Sequence, residues 1–90
     1  MKIKGFTPLS DTLIQEFGLI TASVYGKVWR YCDAYGICEA SRTRIAEELG
    51  ISEKTAYSHL KTLEENGYIT IFSRHGFTSQ IIVTDKITFG

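Results

Sequence analysis

No run of apolar residues in the chain comes near the ~18 needed to cross a bilayer. The opening Met1-Lys2-Ile3-Lys4-Gly5 also lacks the apolar stretch of a signal peptide, so a soluble, cytoplasmic protein with no membrane partner is expected. Cysteine is scarce. Cys32 and Cys38 are the only two, too few for a disulfide framework. His59 and His75 stand far along the chain from both, so no zinc set of about four closely spaced ligands can be assembled. The two thiols are expected to be reduced and half-buried. Charge of one sign is not in surplus either, since ten Lys and Arg balance ten Asp and Glu. There is no glycine-rich phosphate loop and no nucleophile–base pair at a recognisable spacing. Ser58 and His59 are adjacent, and neighbours on a helix point in different directions. An enzyme is therefore not expected, nor is a cofactor. Repeats, low-complexity segments and linkers are missing too, and a single proline punctuates the chain.

What remains has the composition of an ordinary globular protein, 43% hydrophobic, 22% charged and 12% aromatic over 90 residues. That is too apolar for disorder and enough for a single core of modest size, so residues 1–90 are read as one domain. Pro8 suits the first turn of a short helix over about Pro8 to Glu16, which Phe17-Gly18 interrupts. Thr21 can cap a second helix from Ala22 to about Tyr35, with Gly36 as its stop. Val24, Tyr25, Val28, Trp29, Cys32 and Tyr35 recur at helical spacing and form its expected buried stripe. Ile37-Cys38-Glu39 leaves room for a very short strand. Ser41 then caps Arg42 to Leu49, Gly50 ends that helix, and Ser52 caps a longer one from Glu53 to about Asn66. Beyond Asn66-Gly67 the period changes to two. Tyr68 to Ser73 and Ser79 to Thr84 read as strands of a β-hairpin around a polar turn, Arg74 to Thr78. A lone hairpin is unstable, so its apolar face must lie against the helices, giving an α+β fold that is mainly α.

The segment Arg42 to Leu60 meets the physical needs of two helices meeting at a tight corner. Ala46 and Ala56 are small residues at the expected contact, and Gly50 tolerates positive φ in the turn. Ile51 plugs that turn from inside, while Leu60 and Leu63 anchor the second helix to the core. The run Ile45-Ala46-Glu47-Glu48-Leu49-Gly50-Ile51-Ser52, followed by Glu53-Lys54-Thr55, resembles the helix-turn-helix of many bacterial regulators. Leu63 to Ile69 is similar to the Leu-Glu-x-x-Gly-x-Ile pattern that leads from a recognition helix into a wing. The upstream stretch, with Tyr25, Trp29 and Asp33 to Cys38, resembles the helix-turn-helix domains of plasmid and phage replication proteins. The resemblance spans roughly residues 17–84. It implies a winged helix-turn-helix of three to four helices and a β-hairpin wing, with the motif at about 41–66 and the wing at about 68–84. It departs in one place, since a capping box wants Glu or Gln where Thr55 stands.

Such a fold implies double-stranded DNA as partner, with the helix from Glu53 in the major groove. If Ala56, Leu60 and Leu63 face inward, Glu53, Lys54, Tyr57, Ser58 and Lys61 lie outward, with Ser52 at the mouth. Lys54, Tyr57 and Ser58 are the expected readers of base edges, and Lys61 is better placed for a phosphate. Glu53 can accept from a cytosine amine or can serve only the positive helix terminus. Arg42, Thr43 and Arg44, at the start of the preceding helix, are expected near the DNA backbone, and Arg74 and His75 sit in a stretch that resembles wings tracking the minor groove or its flanking phosphates. Cations thus gather on this surface despite the neutral total, with Glu47 and Glu48 as the awkward exceptions. They predict modest affinity for a monomer. His59 is expected to pack near the core, and Trp29 and its neighbouring tyrosines to make core or dimer contacts. Sequence-specific DNA binding by a transcriptional regulator is the leading expectation. Origin recognition in plasmid or phage replication is its sibling, and a winged helix used for protein association is the alternative. A single module covers few base pairs, so a homodimer or a larger parent protein is expected.

Overall fold

The computed structural model describes residues 6–72, 80–84 and 86–87. Four helices and three strands follow in the order α1 Asp11–Phe17, α2 Leu19–Arg30, β1 Ile37–Cys38, α3 Arg42–Leu49, α4 Glu53–Glu65, β2 Ile69–Phe72 and β3 Gln80–Val83. The fold is thus α+β and mainly helical. No helix among the described residues is long and apolar enough to cross a membrane.

The α3–Gly50–α4 corner forms where the residue pattern places it. Ser41 Oγ accepts from the Arg44 amide and Ser52 Oγ from the Thr55 amide, so both helices begin on side-chain caps. Ser52 Oγ in turn donates to the Thr55 hydroxyl at 2.8 Å, so Thr55 partners the cap where a capping box would use Glu or Gln. Gly50 ends α3 in the left-handed region, at φ 68° and ψ 29°, as the turn requires. Ala46 of α3 and Ala56 of α4 are both buried, and Ile51 packs against the core.

The first two helices depart from expectation. Helix α1 starts at Asp11, because Ser10 rather than the Pro8 turn supplies the cap, with Oγ accepting from the Leu13 amide. Helix α2 starts at Leu19, since Gly18 turns the chain; Thr21 lies one turn inside and is buried. It stops at Arg30, well before Tyr35 and Gly36. The reason is Asp33, whose Oδ1 accepts from the Tyr35 and Ile37 amides and folds residues 33–37 into a turn. Tyr35 is therefore 85% exposed and does not belong to the buried stripe, whereas Val24, Tyr25, Val28 and Cys32 do. Trp29 is only partly buried against the core. Both cysteines are buried rather than half-buried.

Strand β3 pairs antiparallel with both β2 and β1 and so lies at the centre of a three-stranded sheet. The register Ile69↔Val83 and Ile71↔Ile81 puts four apolar side chains on the face toward the helices. The core joins them to Leu13 of α1, Val24, Tyr25 and Val28 of α2, Ile45 of α3, and Leu60 and Leu63 of α4. As an edge strand, β2 leaves the Ile71 amide unpaired by the sheet. Glu64 of α4 reaches across to accept it at 3.1 Å, which ties the hairpin to the helix. The expected turn Arg74 to Thr78 lies outside the described residues.

Candidate nucleic-acid interface

Helix α4 buries Ala56, Leu60 and Leu63. With about 3.6 residues per turn, Lys54, Ser58 and Lys61 fall on the opposite face, and Glu53 and Tyr57 on the flank toward α3. Lys54, Tyr57 and Ser58 are all exposed, Tyr57 by 41%. His59 faces the other flank, where its Nδ1 shares a 2.7 Å hydrogen bond with the hydroxyl of Thr21 on α2. It packs beside the core, and the buried Thr21 locks α4 to α2 rather than capping a helix.

An open cleft of ≈ 260 Å³ lies between the starts of α3 and α4, lined by Arg42, Glu53, Lys54 and Tyr57. Arg42 donates through Nε to Glu53 Oε1 at 3.3 Å, while its guanidinium lies over the Tyr57 ring, 4.8 Å from the centroid. The carboxylate and the aromatic face together hold Arg42 across the cleft mouth. Thr43 is exposed beside it. Ser52 is committed to the helix cap through its hydroxyl.

Arg44 reaches the opposite way. Its Nε donates to Glu48 Oε2 at 3.0 Å, and its guanidinium lies 4.9 Å from the Tyr31 ring centroid. Glu48 also receives Lys27 Nζ at 2.9 Å and the Tyr31 hydroxyl at 2.6 Å. The Tyr31 hydroxyl, then Lys27 and Arg44, hold the Glu48 carboxyl down to about 2. The hydrogen bond to Glu48 in turn raises the Arg44 guanidinium. Glu48 is thus the pin between α2 and α3, and its charge is already answered. Residue spacing exposes only the Arg44–Glu48 pair, one helical turn apart; Lys27 and Tyr31 arrive through tertiary packing.

Lys61 is half-buried and donates to Glu64 Oε1 at 2.8 Å, a contact that raises Lys61 and lowers Glu64. The Ile71 amide lowers Glu64 further. Between residues 41 and 66 the four cations Arg42, Arg44, Lys54 and Lys61 meet five carboxylates, Glu47, Glu48, Glu53, Glu64 and Glu65. The expected basic surface is therefore a mosaic, in which three cations already carry a carboxylate. Lys54 has no ion pair among the described residues. Exposed pairs of this kind are worth only about 0–1 kcal/mol each, so a phosphate can displace the carboxylate. Arg74 and His75, expected in the wing, lie outside the described residues.

Two helices at a tight corner, backed by an antiparallel hairpin, make this a winged helix-turn-helix protein. A family model described as a helix-turn-helix domain matches residues 21–69, and the chain belongs to that family. Membership points to DNA as the partner. No curated protein matches the chain.

Proposed function

We propose that the protein binds double-stranded DNA sequence-specifically, as a transcriptional regulator, by laying the first half of α4 in the major groove. The observation that carries this reading is the exposed set Lys54, Tyr57 and Ser58 on the helix after the Gly50 corner, whose inner face buries Ala56, Leu60 and Leu63. In it, Lys54 donates to a guanine edge, Ser58 pairs with a neighbouring base, and Tyr57 meets a thymine methyl or a phosphate. Arg42, Thr43 and Arg44 approach the backbone from α3, Lys61 from α4, and Arg74 and His75 from the wing. Because Arg42, Arg44 and Lys61 must leave carboxylates to reach phosphates, affinity per monomer is modest and a homodimer supplies the rest.

Selection of bound duplexes from a random pool, followed by a salt titration of the winner, tests this. About five phosphate contacts predict a log–log slope of roughly −4.5. A pool that enriches nothing, or binding that ignores salt, overturns it. The second reading, association with another protein, draws on the zero net charge and on Leu19 and Ile20, which are 58% and 48% exposed at the start of α2. Salt-insensitive capture of a protein partner by that face would favour it.

A further inference from the structure

The two cysteines sit opposite one another across a single antiparallel bridge that joins the end of α2 to β1. The flanking backbone bonds are Asp33 N–H to Ile37 C=O and Glu39 N–H to Tyr31 C=O, both 2.9 Å. That pattern makes Cys32 and Cys38 a non-hydrogen-bonded pair, the arrangement in which facing Cα atoms approach to about 4.5 Å and side chains are nearest. A disulfide spans Cα separations of about 4.4–6.8 Å. Both side chains point into the same side of the core, 4% and 8% exposed, and both are thiols.

We propose that Cys32 and Cys38 form a redox-convertible dithiol, closing to an intramolecular disulfide on reaction with a low-molecular-weight disulfide and reopening under thiol reductant. Cys38 is the attacking group. It is the slightly more exposed residue of the two, and the hydrogen bond from the Cys32 side chain holds its thiol below the ordinary range, against the opposing effect of burial. The Cys38 thiolate attacks one sulfur of the small disulfide, whose S–S bond breaks and whose leaving thiolate takes up a proton. Cys32 gives up its proton, attacks Cys38 in the mixed disulfide and releases the second small thiol. Two protein thiols are oxidised and one disulfide is reduced to two thiols. In the reduced form the Cys32 sulfur also lies 3.1 and 3.3 Å from the Val28 and Gly36 carbonyl oxygens, which its single S–H can serve only in alternation with Cys38, and these contacts are given up on closure. The link would clamp the end of α2 to the strand that feeds the Ser41 cap, and it stands independently of the DNA-binding reading.

The test uses the full chain equilibrated in glutathione buffers from fully reduced to fully oxidised, quenched in acid and alkylated after denaturation. The expected product is a monomer lighter by two hydrogens, with Cys32 joined to Cys38, that reverts with dithiothreitol. Closing a loop of about seven residues should raise its thermal midpoint by roughly 10 °C. The Cys32→Ser variant should stop at a mixed disulfide with glutathione on Cys38. Thiols that remain alkylatable at every buffer ratio, disulfide-linked dimers, or an oxidised monomer that melts below the reduced one would each overturn the proposal. Should Cys32→Ser not fold, the mass and midpoint of the unsubstituted chain decide alone.

Discussion

Replacing Glu48 by Gln separates stability from binding in one residue. The Glu48 carboxylate receives Lys27, Tyr31 and Arg44, and is held at about 2 against an ordinary 4.5. A carboxyl depressed in the folded state stabilises that state above its unfolded value, and the contribution drains away as pH falls from 4.5 toward 2. The full shift sets a ceiling of about 3 kcal/mol. The side chain is 26% exposed and its ion pairs are screened, so the expected loss at pH 7 is nearer ~1–2 kcal/mol. Glutamine still accepts the Tyr31 hydroxyl, which also argues for the lower figure. Urea unfolding at pH 7, 5, 4 and 3 would measure it. The variant should be the weaker at pH 7, and the gap should narrow through the acid range and close near 2. A gap of the same size at pH 7 and pH 3, or none at pH 7, would refute the assignment of Glu48 as the pin between α2 and α3. The same variant frees Arg44, so on the proposed reading its affinity for a selected duplex should rise while stability falls.

Gly26 lies mid-helix in α2, where a β-carbon would collide with the Pro8 carbonyl oxygen of the crossing N-terminal segment. Gly26→Ala should therefore lose ~1–3 kcal/mol by calorimetry despite alanine's helix preference; a gain would show that this segment yields freely. At Gly50 a β-carbon meets nothing within 4 Å, so Gly50→Ala should cost only the left-handed backbone, ~1–2 kcal/mol, leaving the fold intact by circular dichroism. Glu53→Gln releases Arg42 and should strengthen binding to all duplexes alike. Weakening confined to the preferred site would instead mark Glu53 as a reader of cytosine. Lys54→Ala should weaken the selected site by ~1–3 kcal/mol in a binding titration and flatten the preference at one position. Equal loss on every sequence would reassign Lys54 to phosphate.

Local chemistry alone determined the helix-turn-helix corner. Ser41 and Ser52 caps, Gly50 in the left-handed turn, and small Ala46 and Ala56 on the buried faces act over a few residues, and all stand where the residue pattern places them. The period-two pattern of β2 and β3 was legible for the same reason, because alternation is a local property of a half-buried strand. Helix α2 departs from its residue pattern at both ends. Its helical spacing continues into Cys32 and Tyr35, but Asp33 binds two backbone amides and the Cys32–Cys38 bridge rewards the break, a choice made by residues across the fold. The central place of β3 was hidden likewise, since two-residue β1 has no pattern of its own. Above all, tertiary packing decided the charge of the candidate surface. Residue order showed cations clustering, whereas the folded chain set Glu53 against Arg42 and Glu48 among Lys27, Tyr31 and Arg44. Ion pairs between helices depend on where side chains end in space, and no spacing along the chain encodes that distance.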